Sequence, residues 1–150
     1  MTSPTTARTT AEDDATFTAD ERAAMKERAR EVRAARRADK VDPEETVLAK
    51  IAEMGEADRV MAERIHAIVR EVAPGLVPRL WYGMPAYTKD GSVVVFFKAA
   101  EKFKGRYATL GFEEKAALDD GALWPTSYAL TRLGAGEEAL IRELVARAAS

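Results

Sequence analysis

The fold is decided by residues 80–97, which read LWYGMPAY (80–87), TKDG (88–91) and SVVVFF (92–97). Valine and aromatic residues favour strands, and Asp90-Gly91 between two such runs is typical of a β-hairpin turn. Gly83 and Pro85 fit poorly inside a central strand and predict a bend. We therefore expect a strand that begins at 79–82 and continues at 85–88 after the bend, and then a central strand at 92–97.

Aromatic residues predict where a core or a pocket forms, because they bury the largest areas per residue. Ten of the eleven aromatic residues lie between Trp81 and Tyr128, and only Phe17 lies outside. Further strands are predicted at 106–110 and 127–133, with a short helix at 113–118 between them. A sheet with one partly open face would hold a pocket lined by some of Trp81, Tyr82, Tyr87, Phe97, Tyr107 and Trp124.

Four longer helices are predicted from capping residues and apolar spacing. Thr18 with Glu21 has the form of a capping box and predicts a helix towards residue 38, and Asp42-Pro43 predicts the start of a second helix. A third helix is expected after Gly55, and a last one after Gly134 or Gly136. The expected buried faces are Val47, Leu48, Ile51 and Met54, then Val60, Met61, Ile65, Ile68, Val69 and Val72, and finally Leu140, Ile141, Leu144 and Val145.

These elements predict an α+β fold, with a small, mostly antiparallel sheet of three or four strands covered by helices. We expect a disordered tail at 1–16, a basic N-terminal helix at 17–40 and one α+β domain at 41–150. The basic face of the first helix is typical of a solvated helix laced with ion pairs or of a partner-binding arm. It consists of Lys26, Arg28, Arg30, Arg33, Arg36, Arg37 and Lys40.

Composition excludes several kinds of site and partner. The net charge of −2 provides no bulk attraction to nucleic acid, which makes nucleic acid an unexpected partner. The absence of cysteine excludes disulfides, thiolate metal sites and cysteine nucleophiles. No apolar run is long enough to span a membrane and the N-terminus has no signal-like segment, so we expect a cytoplasmic location and no membrane contact.

A group of four acidic residues is the candidate metal site. Carboxylate oxygens are the ligands that hard cations such as Fe²⁺ prefer. The same residues are also ordinary in the first turn of a helix and in a surface turn. The group is Glu113, Glu114, Asp119 and Asp120.

A basic and aromatic segment is the candidate ligand pocket. If Lys98 and Arg106 leave neighbouring strands on an open face, they could clamp a small acidic ligand. The alternative is a solvated sheet face balanced by nearby acids. The bend at Gly83-Met84-Pro85 is either architectural or shapes the mouth of this pocket.

Signatures of catalysis are missing from the sequence. There is no nucleophile elbow, phosphate-binding glycine loop or dinucleotide fingerprint. His66 is the only histidine, and a lone helical histidine is expected at the surface or at the boundary of the core rather than as a ligand. We therefore expect a protein that is not an enzyme.

The segment WYGMPAY at 81–87 resembles the YdhG-like family, a bacterial domain of unknown function. The resemblance extends over about 44–148, and the helix at 18–38 is similar to an N-terminal extension in longer actinobacterial-type members. It implies a small α+β domain and, for the frataxin-like relatives, iron that is held on carboxylates and delivered to iron–sulfur or haem assembly. The other matching segments are VFFK (95–98), KFK (102–104), RYATLGF (106–112), LDDG (118–121) and WP (124–125).

The expected function is therefore a non-enzymatic cytoplasmic binding domain, with three forms left open; a small enzyme whose site involves Arg106 or Tyr107 is the alternative class. One is frataxin-like iron binding through the four acids. A second is an interaction module in which the basic helix binds a protein or nucleic acid. The third binds a small anionic ligand through Trp81, Tyr82, Met84, Tyr87, Phe97, Lys98, Arg106, Tyr107 and Trp124.

Overall fold

Four helices and five strands make up the part of the chain that the computed structural model describes, residues 18–37 and 42–150. The expected tail at 1–16 and the end of the basic helix at 38–40 lie outside these residues. The helices are α1 (Ala19–Arg37), α2 (Pro43–Ala52), α3 (Glu56–Val72) and α4 (Ala135–Ala148). The strands are β1 (Val77–Trp81), β2 (Met84–Lys89), β3 (Ser92–Lys98), β4 (Ala108–Phe112) and β5 (Ser127–Leu130).

The five strands form one antiparallel meander in the order β1-β2-β3-β4-β5. The α+β prediction is thus confirmed, with one strand more than the three or four expected. The extra strand arises at Tyr82-Gly83, where both residues have positive φ (53° and 77°) and turn the chain back on itself. Asp90-Gly91 has the same signs (52° and 81°), which is the pattern of the tight hairpin turns that match strand twist. The predicted bend is therefore a complete hairpin turn.

The two faces of the sheet follow from strand register. Tyr87 lies opposite Val95, which lies opposite Phe112, and this line faces the helices. Ala86, Phe96 and Gly111 form the next line and face the other way. We call these the helix face and the outer face.

Helices α2, α3 and α4 pack on the helix face, where most of the core lies. The predicted start of α2 is confirmed, because the Asp42 carboxylate accepts a hydrogen bond from the Glu44 amide (3.0 Å). The largest fully buried side chains include Tyr87, Phe97, Ile51, Ile65, Ile68 and Leu110. Three residues expected on buried faces are instead exposed: Leu48, Val60 and Leu140. Each adjoins a buried neighbour, and the 100° step between helical residues turns it outward.

The short helix predicted at 113–118 does not form. The segment is a series of turns, and two of its amides bond to distant strands and helices: Glu113 donates to the Val94 carbonyl (3.1 Å) and Ala117 to the Ala148 carbonyl (3.0 Å). Ala116 and Leu118 are buried in the core. Tertiary hydrogen bonds and burial therefore override the local helical preference of this segment.

Candidate ligand-binding cleft

An aromatic floor lies on the outer face of the sheet. The rings of Trp81 and Phe96 meet edge to face with their centroids 5.2 Å apart, and Tyr82 lies 5.4 Å from Trp81. The Phe96 ring rests directly on Gly111, where an added Cβ would overlap it. Glycine at 111 therefore leaves room for the far end of the Phe96 ring against the neighbouring strand.

Helix α1 lies beside this floor and is held there by polar contacts. Its start is confirmed, since the Thr18 hydroxyl accepts a hydrogen bond from the Glu21 amide (3.1 Å). Glu27 contacts the Lys102 ammonium (2.7 Å), and Glu31 accepts a hydrogen bond from the Gly83 amide in the β1–β2 turn (2.9 Å). These contacts fix α1 against the turn.

The loop that carries Lys102 is positioned by a buried carboxylate. Asp58, in the first turn of α3, is buried and accepts hydrogen bonds from the amides of Ala100 (3.1 Å) and Glu101 (3.0 Å). A buried carboxylate is stabilised when backbone amides donate to it in this way. The contact between α1 and Lys102 therefore rests on a well-anchored loop.

A cleft of about 460 Å³ opens between α1 and the outer face. It is lined by cationic and aromatic side chains from α1 and β1, by the β2–β3 turn and the start of β3, and by the charged segment after β4. Its lining residues are Arg28, Arg79, Trp81, Gly91, Ser92, Val93, Glu113, Glu114 and Lys115.

The electrostatics of the cleft are set by three cations and two carboxylates. Arg79 is half-buried, and its guanidinium forms no ion pair or hydrogen bond with any side chain in residues 18–37 and 42–150. Arg28 lies over the Tyr82 ring (5.8 Å to the centroid) and 3.6 Å from a Glu31 oxygen, too far for a hydrogen bond. Cationic groups therefore reach the cleft with unused donors.

The predicted pocket residues separate into different places. Trp81 lines the cleft and Tyr82 stands at its edge under Arg28, whereas Tyr87 and Phe97 are 1% exposed and lie in the core on the helix face. Met84 is buried. Trp124 is half-buried against the core. The alternation of strand residues explains the division, because 81 and 96 share one face and 87 and 97 share the other.

The predicted clamp residues also lie away from the cleft. The Lys98 ammonium lies 5.3 Å from the centroid of the Phe103 ring, and the Arg106 guanidinium lies 5.3 Å from that of the exposed Tyr107. The cations that do line the cleft are Arg28, Arg79 and Lys115. Arg79 could have been found from sequence, because it precedes Trp81 by two residues on a strand and must share its face.

Only two of the four predicted metal ligands lie in the cleft. Glu113 and Glu114 both line the cleft, while Asp119 and Asp120 are exposed in the following loop. Among the described residues, no three histidine, cysteine or acidic side chains come together as a set that could hold a metal ion. Iron binding through these acids stays a prediction.

His66 belongs to a buried polar network on the helix face. Its Nδ1 lies 2.9 Å from the Tyr87 hydroxyl and its Nε2 2.9 Å from the Glu44 carboxylate, which also contacts the Arg70 guanidinium at 3.2 Å. His66 is therefore buried, rather than at the expected surface or boundary of the core. The sequence feature that could have predicted this burial is the spacing of His66 from Ala62 and Val69, which places it on the apolar stripe of α3.

Tyr87 is the most perturbed member of this network. Burial raises the pKa of its phenol well above the usual 10.0, and the nearby Glu44 carboxylate raises it further. The phenol therefore stays protonated and can donate to His66. The network joins α2, α3 and β2, and all of its side chains lie outside the set that lines the cleft.

Comparisons of the chain with protein-family models, with curated proteins and with solved structures find no match. Within residues 18–37 and 42–150, no helix is both long and apolar enough to cross a bilayer. The geometry and charge of the outer cleft are therefore the basis for a functional proposal.

Proposed function

We propose that the protein is a non-enzymatic binding domain that takes a small anionic ligand with a planar body into the outer cleft. The observation that carries this proposal is Arg79, a half-buried arginine beside Trp81 with no side-chain partner in the described part of the chain. A guanidinium in such a position offers paired donors that match a carboxylate or a phosphate.

The surrounding residues supply the other contacts. Trp81 offers a ring edge or face to the planar body of the ligand. Arg28 reaches the same cleft from α1, so that a bound anion would bridge the helix and the sheet. Glu113 and Glu114 disfavour a second anionic group at the other end of the ligand and favour hydrogen-bond donors there.

The position of the single imidazole supports binding rather than turnover. The single imidazole, His66, is engaged by Tyr87 and Glu44 on the helix face, behind the sheet from the cleft. The cleft offers cations, carboxylates and aromatic surface. Iron delivery, which the YdhG-like resemblance implies, stays a prediction, and variants of the acidic residues in the cleft can test it.

The experiment is a fluorescence titration with phenyl phosphate, benzoate and inorganic phosphate in a Trp124→Phe background, which leaves Trp81 as the only tryptophan. We expect saturable quenching by the two aromatic anions, in the millimolar range or tighter. Arg79→Gln should weaken binding at least about tenfold, equivalent to about 1.4 kcal/mol. Arg132→Gln, at an exposed arginine outside the cleft, is the matched control. Equal affinities in the two variants would contradict the proposal.

A second variant distinguishes anion binding from metal binding, because it should change the two affinities in opposite directions. Glu114→Gln removes a negative charge from the cleft and should tighten phenyl phosphate binding by about twofold to fivefold, because it removes repulsion at a partly screened site. If the cleft instead holds Fe²⁺, the same substitution should weaken anaerobic Fe²⁺ binding. Tighter metal-independent anion binding supports the proposal, and loss of saturable Fe²⁺ binding supports the iron-binding alternative.

A further inference from the structure

Most of the charges of helix α1 are segregated between two sides. At about 100° per residue, three of its four acids, Asp20, Glu27 and Glu31, fall within about 40° of one another, and the fourth, the exposed Glu21, lies about 100° from their centre. This acidic side faces the domain, where the three carboxylates contact Lys104, Lys102 and the Gly83 amide. The acidic side of α1 therefore lies against the rest of the protein.

The outward side of α1 is basic. Four cations fall within about 80° of one another on the helical wheel, away from the acidic side. All four are exposed, and none forms an ion pair within residues 18–37 and 42–150. They are Arg22, Lys26, Arg30 and Arg33.

An apolar stripe runs beside these cations. Met25 and Val32 are 49% and 37% exposed and are separated by about two helical turns, with the small, exposed Ala29 between them. Cationic and apolar residues together fill the side of α1 that faces away from the domain. We call this combined surface the outward face of α1.

We propose that the outward face of α1 docks an acidic amphipathic helix of a protein partner. Met25, Ala29 and Val32 have the spacing of a helix-packing seam, and the small residue at 29 allows close approach of a second helix. The cations beside the seam match carboxylates on the flank of such a partner, as charged positions do beside a coiled-coil seam. This goes beyond ligand binding in the cleft and rests on different residues.

A protein helix fits this surface better than the two other polyanions that a basic helix can meet. Nucleic-acid phosphates would pair with the cations but would leave Met25 and Val32 uncovered, and the chain's net charge of −2 gives no long-range attraction. An anionic bilayer would be held by bulky aromatic or leucine side chains, which the seam lacks.

The experiment uses the full chain and a fluorescent helical peptide of about six turns with leucine at its seam positions and glutamate on both flanks. We expect saturable binding in the micromolar range that weakens as salt increases. Arg22→Glu with Lys26→Glu should weaken it at least about tenfold, and Met25→Ser at least about threefold. Arg132→Glu with Arg147→Glu, at exposed cations outside α1, is the matched control and should have little effect.

Further measurements distinguish an acidic protein helix from other binding partners of α1. A peptide with lysine in place of glutamate should fail to bind, and circular dichroism must show that each variant keeps its helix content. Absence of saturable peptide binding, or an unchanged affinity in the Arg22→Glu/Lys26→Glu variant, would overturn the proposal. Tighter binding to a short DNA duplex or to phosphatidylserine vesicles than to the acidic peptide would overturn it in favour of that surface.

Discussion

The two faces of the five-stranded sheet are made by alternating residues of the same strands, but they are covered differently. Three helices close the helix face, where Tyr87, Val95 and Phe97 are almost fully buried. The outer face carries Trp81 and Phe96, and α1 approaches it through polar contacts at the β1–β2 turn. The difference indicates that one face supplies most of the stability of the domain and the other is available for binding.

The largest effect should come from truncating adjacent phenylalanines on opposite faces. Phe97→Ala should destabilise the protein by about 3–5 kcal/mol, because it leaves a cavity in the closed core. Phe96→Ala removes a half-buried ring from the outer face and should cost about 1–2 kcal/mol, since less apolar area returns to water. Urea unfolding of both variants measures the two losses of stability. Equal losses would show that the outer face contributes to the core as much as the helix face does.

The next effect tests whether the Phe96 ring needs Gly111. Gly111→Ala places a methyl group where the ring lies and should cost about 1–3 kcal/mol through overpacking. In a Phe96→Ala background, Gly111→Ala should cost much less than it does in the wild-type protein, because the ring that the new methyl group would overlap is gone. Chemical denaturation in a double-mutant cycle gives the coupling energy. Simple additivity of the two losses would argue against the ring-on-glycine contact.

The polar network of the helix face should give a smaller effect with a characteristic pH dependence. Tyr87→Phe removes the hydroxyl beside the His66 Nδ1 and should cost about 1–2 kcal/mol at neutral pH. The folded pKa of Tyr87 is raised above its unfolded value of 10.0, so this phenol's contribution to stability is complete below that pH and is lost as the pH rises further.

The wild-type protein should therefore lose stability more steeply above about pH 10 than Tyr87→Phe does. Tyr107→Phe, which alters an exposed tyrosine, is the control and should keep the wild-type slope. Unfolding free energies between about pH 8 and pH 11 measure both slopes. An identical slope in Tyr87→Phe would mean that the phenol is not held protonated by the fold.

The smallest effect on stability should come from releasing α1. Lys102→Gln removes the contact with Glu27 and should lower global stability by about 1 kcal/mol or less, because the pair is only partly shielded from water. Amide hydrogen exchange should nevertheless speed up in α1 while α3 stays protected. Lys104→Gln is the control, since its contact with Asp20 is longer (3.8 Å) and more exposed. Global unfolding on Lys102→Gln would show that α1 is an integral part of the core.

The sequence alone determined the class of the fold and most of its elements. Apolar spacing located α2, α3 and α4, capping residues located the starts of α1 and α2, and Asp90-Gly91 located the central hairpin. These features depend on interactions between residues close in the chain, which periodicity and turn chemistry report directly. The same local signals predicted one bend at Tyr82-Gly83, where the positive φ of both residues makes a second hairpin.

Tertiary structure alone decided which residues meet in the cleft and which are removed from it. Arg28, Arg79 and Glu114 are far apart in sequence. The sheet brings Arg79 on β1 near Glu114 after β4, and Arg28 joins them because α1 lies against the β1–β2 turn. Tyr87 and His66 join the core because the sheet turns that side towards α3, and the amides of Glu113 and Ala117 donate to distant carbonyls. Such contacts depend on which face each element presents to a remote neighbour, and local sequence preference does not carry that information.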